Sequence, residues 1–289
     1  MLALCAAAYL VGAYQGYTRD WPARRIKGIF VASLDRGMVQ TDRFGRLLSF
    51  PGKIEVACPA QDRSTAVLLA IGQSNAANFQ GQRYRGIDDR VINYFNGRCY
   101  LASSPLLGAA GKEGESWTLL GNKLVKAGVY DRVILVAAGI GSSSVARWAA
   151  GGDLNAMLRG VLLGVRGRYT ITHVLWQQGA TDADLHTSEQ DYAARLRSLI
   201  GTLHEEGVTA PFYVSKSSLQ LSETWSPDNP VTRAQDAVVD GRSVLAGPNT
   251  DRDVSAIDRF DGLHFSASGQ EKFTDAWLEL LRPPTATRP

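Results

Sequence analysis

From residue 66 onward, short apolar runs alternate with longer stretches in which apolar residues recur every three or four positions. The short runs AVLLAIG (66–72), RVINYFNG (90–97), RVILVAAGI (132–140), THVLWQQGA (172–180) and PFYVSKSS (211–218) predict strands. Several are continuously apolar, as expected of strands buried on both faces of a parallel sheet. The intervening WTLLGNKLVKAG (117–128), DLNAMLRGVLLGV (153–165) and SEQDYAARLRSLIGTLHEEG (188–207) predict helices. Gly128 closes the first of them, and Ser188 and Gly207 cap and close the last. A last helix over SASGQEKFTDAWLELL stops at Pro283 and Pro284. This alternation predicts an α/β fold: a three-layer α/β/α sandwich around a parallel, flavodoxin-like sheet.

The stretch before this domain reads differently. Residues 28–57 show short β-like runs broken by DRG and RFG, which predicts a hairpin or two beside the main domain. The organisation expected is an apolar segment over 1–18, an extension with β-hairpin character over 19–63, the main domain over 64–283 and a tail over 284–289. The opening MLALCAAAYLVGAY carries no charge. As a helix it spans roughly 21 Å at about 1.5 Å per residue, short of the ~30 Å hydrocarbon core of a bilayer. It reads as a signal-peptide or signal-anchor segment, so export is expected, with attachment to a membrane through this segment; the alternative is a buried helix or strand.

Composition narrows the classes. A chain of 289 residues with 45% hydrophobic and 20% charged residues is globular. A net charge of +3 is too mild to point to nucleic acid, although Arg19, Arg24, Arg25 and Lys27 cluster near the apolar start. The four histidines are scattered and the three cysteines lack C-x-x-C spacing, so no metal site is visible and no cofactor is expected. Cys58 and Cys99 are candidates for a disulfide, with two buried thiols as the alternative.

In an open parallel sheet the functional crevice lies at the carboxyl ends of the strands. Those ends carry Gly72-Gln73-Ser74-Asn75, then GIGSSSVARW (139–148), then WQQGATDAD (176–184), and late in the chain DGLHFS (261–266). Asp261 and His264 are three apart, close enough for the carboxylate to hold an imidazole N–H and leave the other ring nitrogen as a base. Taken singly, D-x-x-H is an ordinary turn and Ser74 an ordinary helix cap. Arg147 and Trp148 are either a sugar-facing pair or a solvated arginine beside a core tryptophan. His186 and Asp184 are either at the cleft rim or on the surface, and His173 and His204 read as structural or exposed.

Taken together and in order, GQSN, the Gly-Ser turn ending in Trp148, W-x-Q-G and DGxHFS resemble the SGNH (GDSL-type) hydrolases, on the sialate O-acetylesterase and carbohydrate acetylesterase side. The resemblance runs over about residues 64–283. It implies a serine esterase acting on an acylated carbohydrate, with Ser74 as nucleophile, His264 as base and Asp261 as its orienter. It also implies an oxyanion hole of the Ser74 and Gly141 N–H groups with the Gln178 amide, and Gln73, Asn75, Ser142, Arg147 and Asp182 as residues near substrate. Two positions depart from the family pattern: Ala180 replaces a common glutamate, and Gly141-Ser142 replaces a glycine pair. Both concern the pocket, not the triad.

Other readings are weaker or share the site. The G-x-G of LVAAGIGSSSVA lacks the third glycine and the later acidic residue of a dinucleotide fold, and no phosphate-binding P-loop sequence occurs. A polysaccharide O-acetyltransferase would use the same three residues, and a glycan-binding module on the same scaffold would use none of them.

Overall fold

The computed structural model describes residues 39–221 and 225–282. The apolar start, the basic cluster at 19–27 and the tail at 284–289 lie outside the described residues. The described residues from Thr41 onward form one compact unit.

Its centre is an eight-stranded sheet of order β10-β9-β8-β4-β7-β5-β6-β3. The strands are β3 (Glu55–Val56), β4 (Thr65–Gly72), β5 (Val91–Phe95), β6 (Arg98–Leu101), β7 (Arg132–Ala137), β8 (His173–Gln177), β9 (Phe212–Lys216) and β10 (Val244–Asn249). A separate ribbon pairs β1 (Gln40–Thr41) with β2 (Leu47–Ser49). From β10 to β5 every pairing is parallel; β6 and β3 add on antiparallel. The α/β/α expectation holds. The hairpin expected in 28–57 divides: part forms the β1–β2 ribbon, while β3 joins the edge of the main sheet.

The continuous apolar character of β4 has a direct cause. All eight of its residues are buried, and their alternation serves two cores. Val67, Leu69 and Ile71 face a cluster with Leu158 and Leu162 of helix α3 (Asp153–Arg166) and Leu196 and Leu199 of α5 (Glu189–Glu205). Ala66, Leu68 and Ala70 face the other, with Leu120 and Leu124 of α1 (Trp117–Lys126) and Phe273 and Trp277 of α8 (Ala267–Leu281). Burying each such aliphatic side chain is worth about 1.5–3 kcal/mol, so a charge anywhere along β4 is intolerable. Short helices α2 (Val145–Trp148), α4 (Ala180–Asp184) and α7 (Thr250–Asp253), with α6 (Pro230–Val238), complete the layers.

Three elements go beyond the sequence expectation. The run 90–97 is a strand followed by an Asn96-Gly97 turn, both residues at positive φ, that folds β6 back on β5. Such Asn-Gly pairs suit hairpins because both central residues must be left-handed. Helix α6 starts on Pro230 under an Asn229 cap. Strand β10 is an edge strand interrupted by a register shift around Gly247-Pro248.

Cys58 and Cys99 are joined, tying the segment before β4 to β6. Closing a loop with a sequence separation of 41 contributes about 4 kcal/mol on the chain-entropy model.

The chain leaves β4 to build β5 and β7 on one side and crosses to β8, β9 and β10 on the other. Connections thus diverge at the carboxyl end of β4, where such sheets place their crevice.

Candidate active site

At that end Gly72 takes φ 131°, and a Cβ there would lie 2.1 Å from the Gln177 carbonyl oxygen. Only glycine lets β4 pass β8 so closely. Gln73 N–H donates to the same carbonyl at 3.0 Å, and Ser74–Ala76 then makes one 3₁₀ turn. The turn is anchored from outside. Trp117 Nε1 donates to Ala76 O at 2.8 Å and Gln80 Nε2 to Asn75 O at 2.7 Å. Ser74 is half-buried and its Oγ bonds no group among the described residues.

Asn75 connects this turn to the last loop. Its Nδ2 donates to Leu263 O at 3.1 Å, and its Oδ1 accepts Phe265 N–H at 3.2 Å. One amide therefore grips the backbone on both sides of His264 from the residue next to Ser74, across 190 positions of sequence. Arg259 reinforces the grip: its Nη1 donates to the same Leu263 O at 2.6 Å and its guanidinium lies 4.9 Å over the Phe265 ring. Burial pushes the Arg259 pKa down to about 10, against the pull of Asp251, Asp258 and Asp261, so it stays charged at neutral pH.

Within the loop, His264 Nδ1 lies 2.6 Å from Asp261 Oδ2. Asp261 Oδ1 also accepts the backbone N–H groups of His264 at 2.7 Å and Leu263 at 3.0 Å. Burial alone would raise the Asp261 pKa, but the hydrogen bonds from the His264 ring and these two amides outweigh it and hold the carboxyl below its ordinary value. An ionised carboxylate can only accept, so Nδ1 carries the hydrogen and Nε2 keeps a free lone pair. The ring is sandwiched between Phe79 and Phe260, each with its centroid 6.0 Å away.

Of the residues named from sequence, Gln73, Ser74 and Asn75 line one cavity of about 30 Å³ together with Gln177, Arg259 and Leu263. Gln73 Oε1 accepts the N–H groups of Gly179 and Thr181, both at 3.1 Å, while its Nε2 donates to no group among the described residues. Gln177, which lines the same cavity, has its Oε1 buried without a partner among the described residues. Gly141 lies against Phe79, whose ring would be 2.9 Å from a Cβ there. Ser142 is exposed at φ 51°.

Two sequence expectations are corrected. The Gln178 amide does not face the cavity: it is fully buried, its Nε2 donating to Ser143 O at 2.9 Å and Asp182 Oδ2 at 2.6 Å. Its Oε1 accepts from the Tyr192 hydroxyl at 2.8 Å, so no donor is left for an oxyanion. Asp182 is likewise fully buried and accepts from Val145 N–H, Gln178 and Thr187. Burial raises its pKa against those bonds. It braces the loop after β7 instead of meeting substrate. Arg147 pairs with Asp153 at 2.8 Å, and Trp148 is a core residue packed edge-on to Trp176. Burial pushes the pKa of His173 down to about 4, as befits a structural histidine, and His186 and Asp184 are exposed.

The sequence reading missed Arg259. Its signal was its place two residues before Asp261, but nothing local marks an arginine as buried.

The model of a protein family described as carbohydrate esterase, sialic acid-specific acetylesterase, matches residues 64–279. No curated protein matches the chain. Among solved structures, a protein from Arabidopsis thaliana is similar at 15% identity and TM-score 0.57, covering 75% of this chain and 97% of its own. Est24, a carbohydrate acetylesterase from Sinorhizobium meliloti, is similar at 14% identity and TM-score 0.48, covering 75% and 98%. The psychrotrophic esterase EstA from Pseudoalteromonas sp. is similar at 16% identity and TM-score 0.47, covering 75% and 98%. The Arabidopsis likeness establishes the fold.

The buried role of Gln178 has a measurable consequence. Gln178→Ala removes a partner from Asp182, Tyr192 and the Ser143 carbonyl together, and is expected to destabilise the fold by about 2–4 kcal/mol. Urea unfolding checks this.

Proposed function

Because the chain belongs to the carbohydrate esterase, sialic acid-specific acetylesterase family, and so is a carboxylic ester hydrolase, we propose that Ser74, His264 and Asp261 are its catalytic triad. The acyl group they remove is taken to be acetyl, carried on a carbohydrate. The observation that carries this reading is the 2.6 Å Asp261–His264 contact on a loop that Asn75 fastens beside Ser74.

Ser74 Oγ attacks the ester carbon while His264 Nε2 takes its proton; the imidazolium then protonates the departing sugar oxygen. Water repeats the sequence on the acyl-enzyme and releases the acid. Asp261 stabilises the imidazolium and fixes the ring. Ser74 Oγ bonds no group among the described residues, and catalytic hydrogen bonds of this kind tighten in the complex with substrate.

The developing oxyanion needs donors held in place beforehand. The Ser74 and Gly141 N–H groups have no acceptor among the described residues, and Gln73 Nε2 supplies the side-chain donor that Gln178 does not. Gln73 suits the task because its carbonyl end is locked onto the start of α4. Its amide donates without bringing a charge that would retain the product carboxylate.

The Cys58–Cys99 bond and the apolar start together support an exported enzyme, attached to a membrane through that start. Among the described residues no helix is long and apolar enough to cross one.

Three outcomes test the reading. Ser74→Ala is expected to abolish hydrolysis of p-nitrophenyl acetate while the unfolding curve stays in place; retained turnover would overturn it. Gln73→Ala is expected to lower kcat by about 10²–10³ with little change in KM, measured by steady-state kinetics. Activity is expected to fall on acidification as the imidazole takes up a proton and ceases to be a base. Because Asp261 is held below the ordinary carboxylate range, a pH–rate profile should show no loss from protonation of this carboxylate until the pH is below that range.

A further inference from the structure

One turn along α4 from the lining of the Ser74 cavity is the lining of a larger cavity of about 270 Å³. Its lining follows directly on that of the Ser74 cavity. Ala180 and Leu219 border the first, whereas Ala183 and Gln220 border the second. Along α4 the step from Ala180 to Ala183 is one turn, about 5 Å. The two cavities thus share two walls, α4 and the chain leaving β9.

The second cavity has a built wall. Trp225 is half-buried, and its indole Nε1 donates to Ser218 Oγ at 3.1 Å. Ser218 is fully buried; its hydroxyl donates to Asp251 Oδ2 at 2.7 Å and accepts from Asn229 Nδ2 at 2.7 Å. The Asp251 carboxylate also accepts Leu219 N–H at 3.1 Å. The same network thus fixes the indole and the strand exit that borders the Ser74 cavity. An aromatic face locked in this way outside the core loses little entropy when a ligand covers it.

Opposite chemistry is also present. Gln220 and His186 line the cavity, and their side chains bond no group among the described residues. Arg233, also in the lining, is held by Glu189 and Asp228, both at 2.9 Å. A flat apolar wall with unused amide and imidazole groups suits a molecule that has one apolar face and a rim of hydroxyls. The volume lies near the lower end of small-molecule sites, enough for one ring and not for a chain. We propose that this cavity is the leaving-group subsite, holding the pyranose ring that bears the ester, with Trp225 against its apolar face. The assignment rests on the reading of Ser74 as the nucleophile.

Binding is tested apart from turnover. The Ser74→Ala protein is mixed with O-acetylated methyl pyranosides and followed by saturation-transfer NMR. Transfer to the ring protons is expected, with binding at least about tenfold weaker once Trp225→Ala is added. No binding, or binding that Trp225→Ala leaves intact, overturns the subsite. With Ser74 present, Trp225→Ala is expected to lower kcat/KM for the acetylated sugar at least about tenfold more than for ethyl acetate, whose alcohol is too short to reach the indole. Equal losses would make Trp225 a strut and overturn the proposal. Trp225→Phe, which keeps a flat face, is expected to restore most of the preference. Should Trp225→Ala fail to fold, Gln220→Ala, a half-exposed site with no partner to lose, is expected to raise KM for the sugar ester several-fold, and an unchanged KM counts against the subsite. Trp225-dependent sugar binding in a protein that cleaves neither ester would sustain the subsite and overturn the nucleophile reading.

Discussion

The site depends on one side-chain amide. Asn75 uses an N–H and its carbonyl oxygen across the crevice, both on the backbone flanking His264. Without it, the Asp261–His264 loop would keep the bond from Gly81 N–H to Phe265 O at 2.8 Å, but among the described residues no hydrogen bond would join it to the nucleophile turn itself. An amide suits the task because the two groups to be gripped are of opposite kind, a carbonyl at Leu263 and an N–H at Phe265. A carboxylate would repel the first and an ammonium the second. Arg259 adds a second donor to the Leu263 carbonyl, a charged group acting on a neutral acceptor that needs no counter-ion in direct contact.

Behind this clamp the polar interior is divided by function. Gln178, Asp182 and Tyr192 form a closed network with every amide and carboxylate position used, and their burial makes any loss costly. Gln73 sits at the boundary between that network and the cavity: its oxygen belongs to the scaffold and its nitrogen does not. A closed interior and one open donor are what preorganisation requires, because a group that must reorient at the moment of reaction stabilises less.

Much of this was readable in the chain, for physical reasons. Strands β4, β7 and β8 announce themselves because burial on two faces leaves no room for polar alternation. Gly72 and the DGLHFS loop are short-range features whose geometry is local. What was hidden is what depends on through-space partners. The direction of the Gln178 amide is set by Ser143 and Tyr192, 35 and 14 positions away, although its four-residue spacing from Asp182, across the start of α4, was a visible hint of pairing. Strand β10 escaped notice because Gly247 and Pro248 break its pattern, and α6 because its only marker is the Asn229-Pro230 start. Arg259 looks in sequence like any surface arginine.

The two borders of the main sheet share a property. On one side β3 is only two residues long and carries Glu55, in contact with Arg98; on the other, β10 contains a proline without an N–H to give and slips register beside it. Neither border offers the long, flat ladder of free amides and carbonyls onto which a neighbouring chain's strand could add. Eight strands are thereby kept from becoming sixteen by edge-to-edge pairing of this sheet.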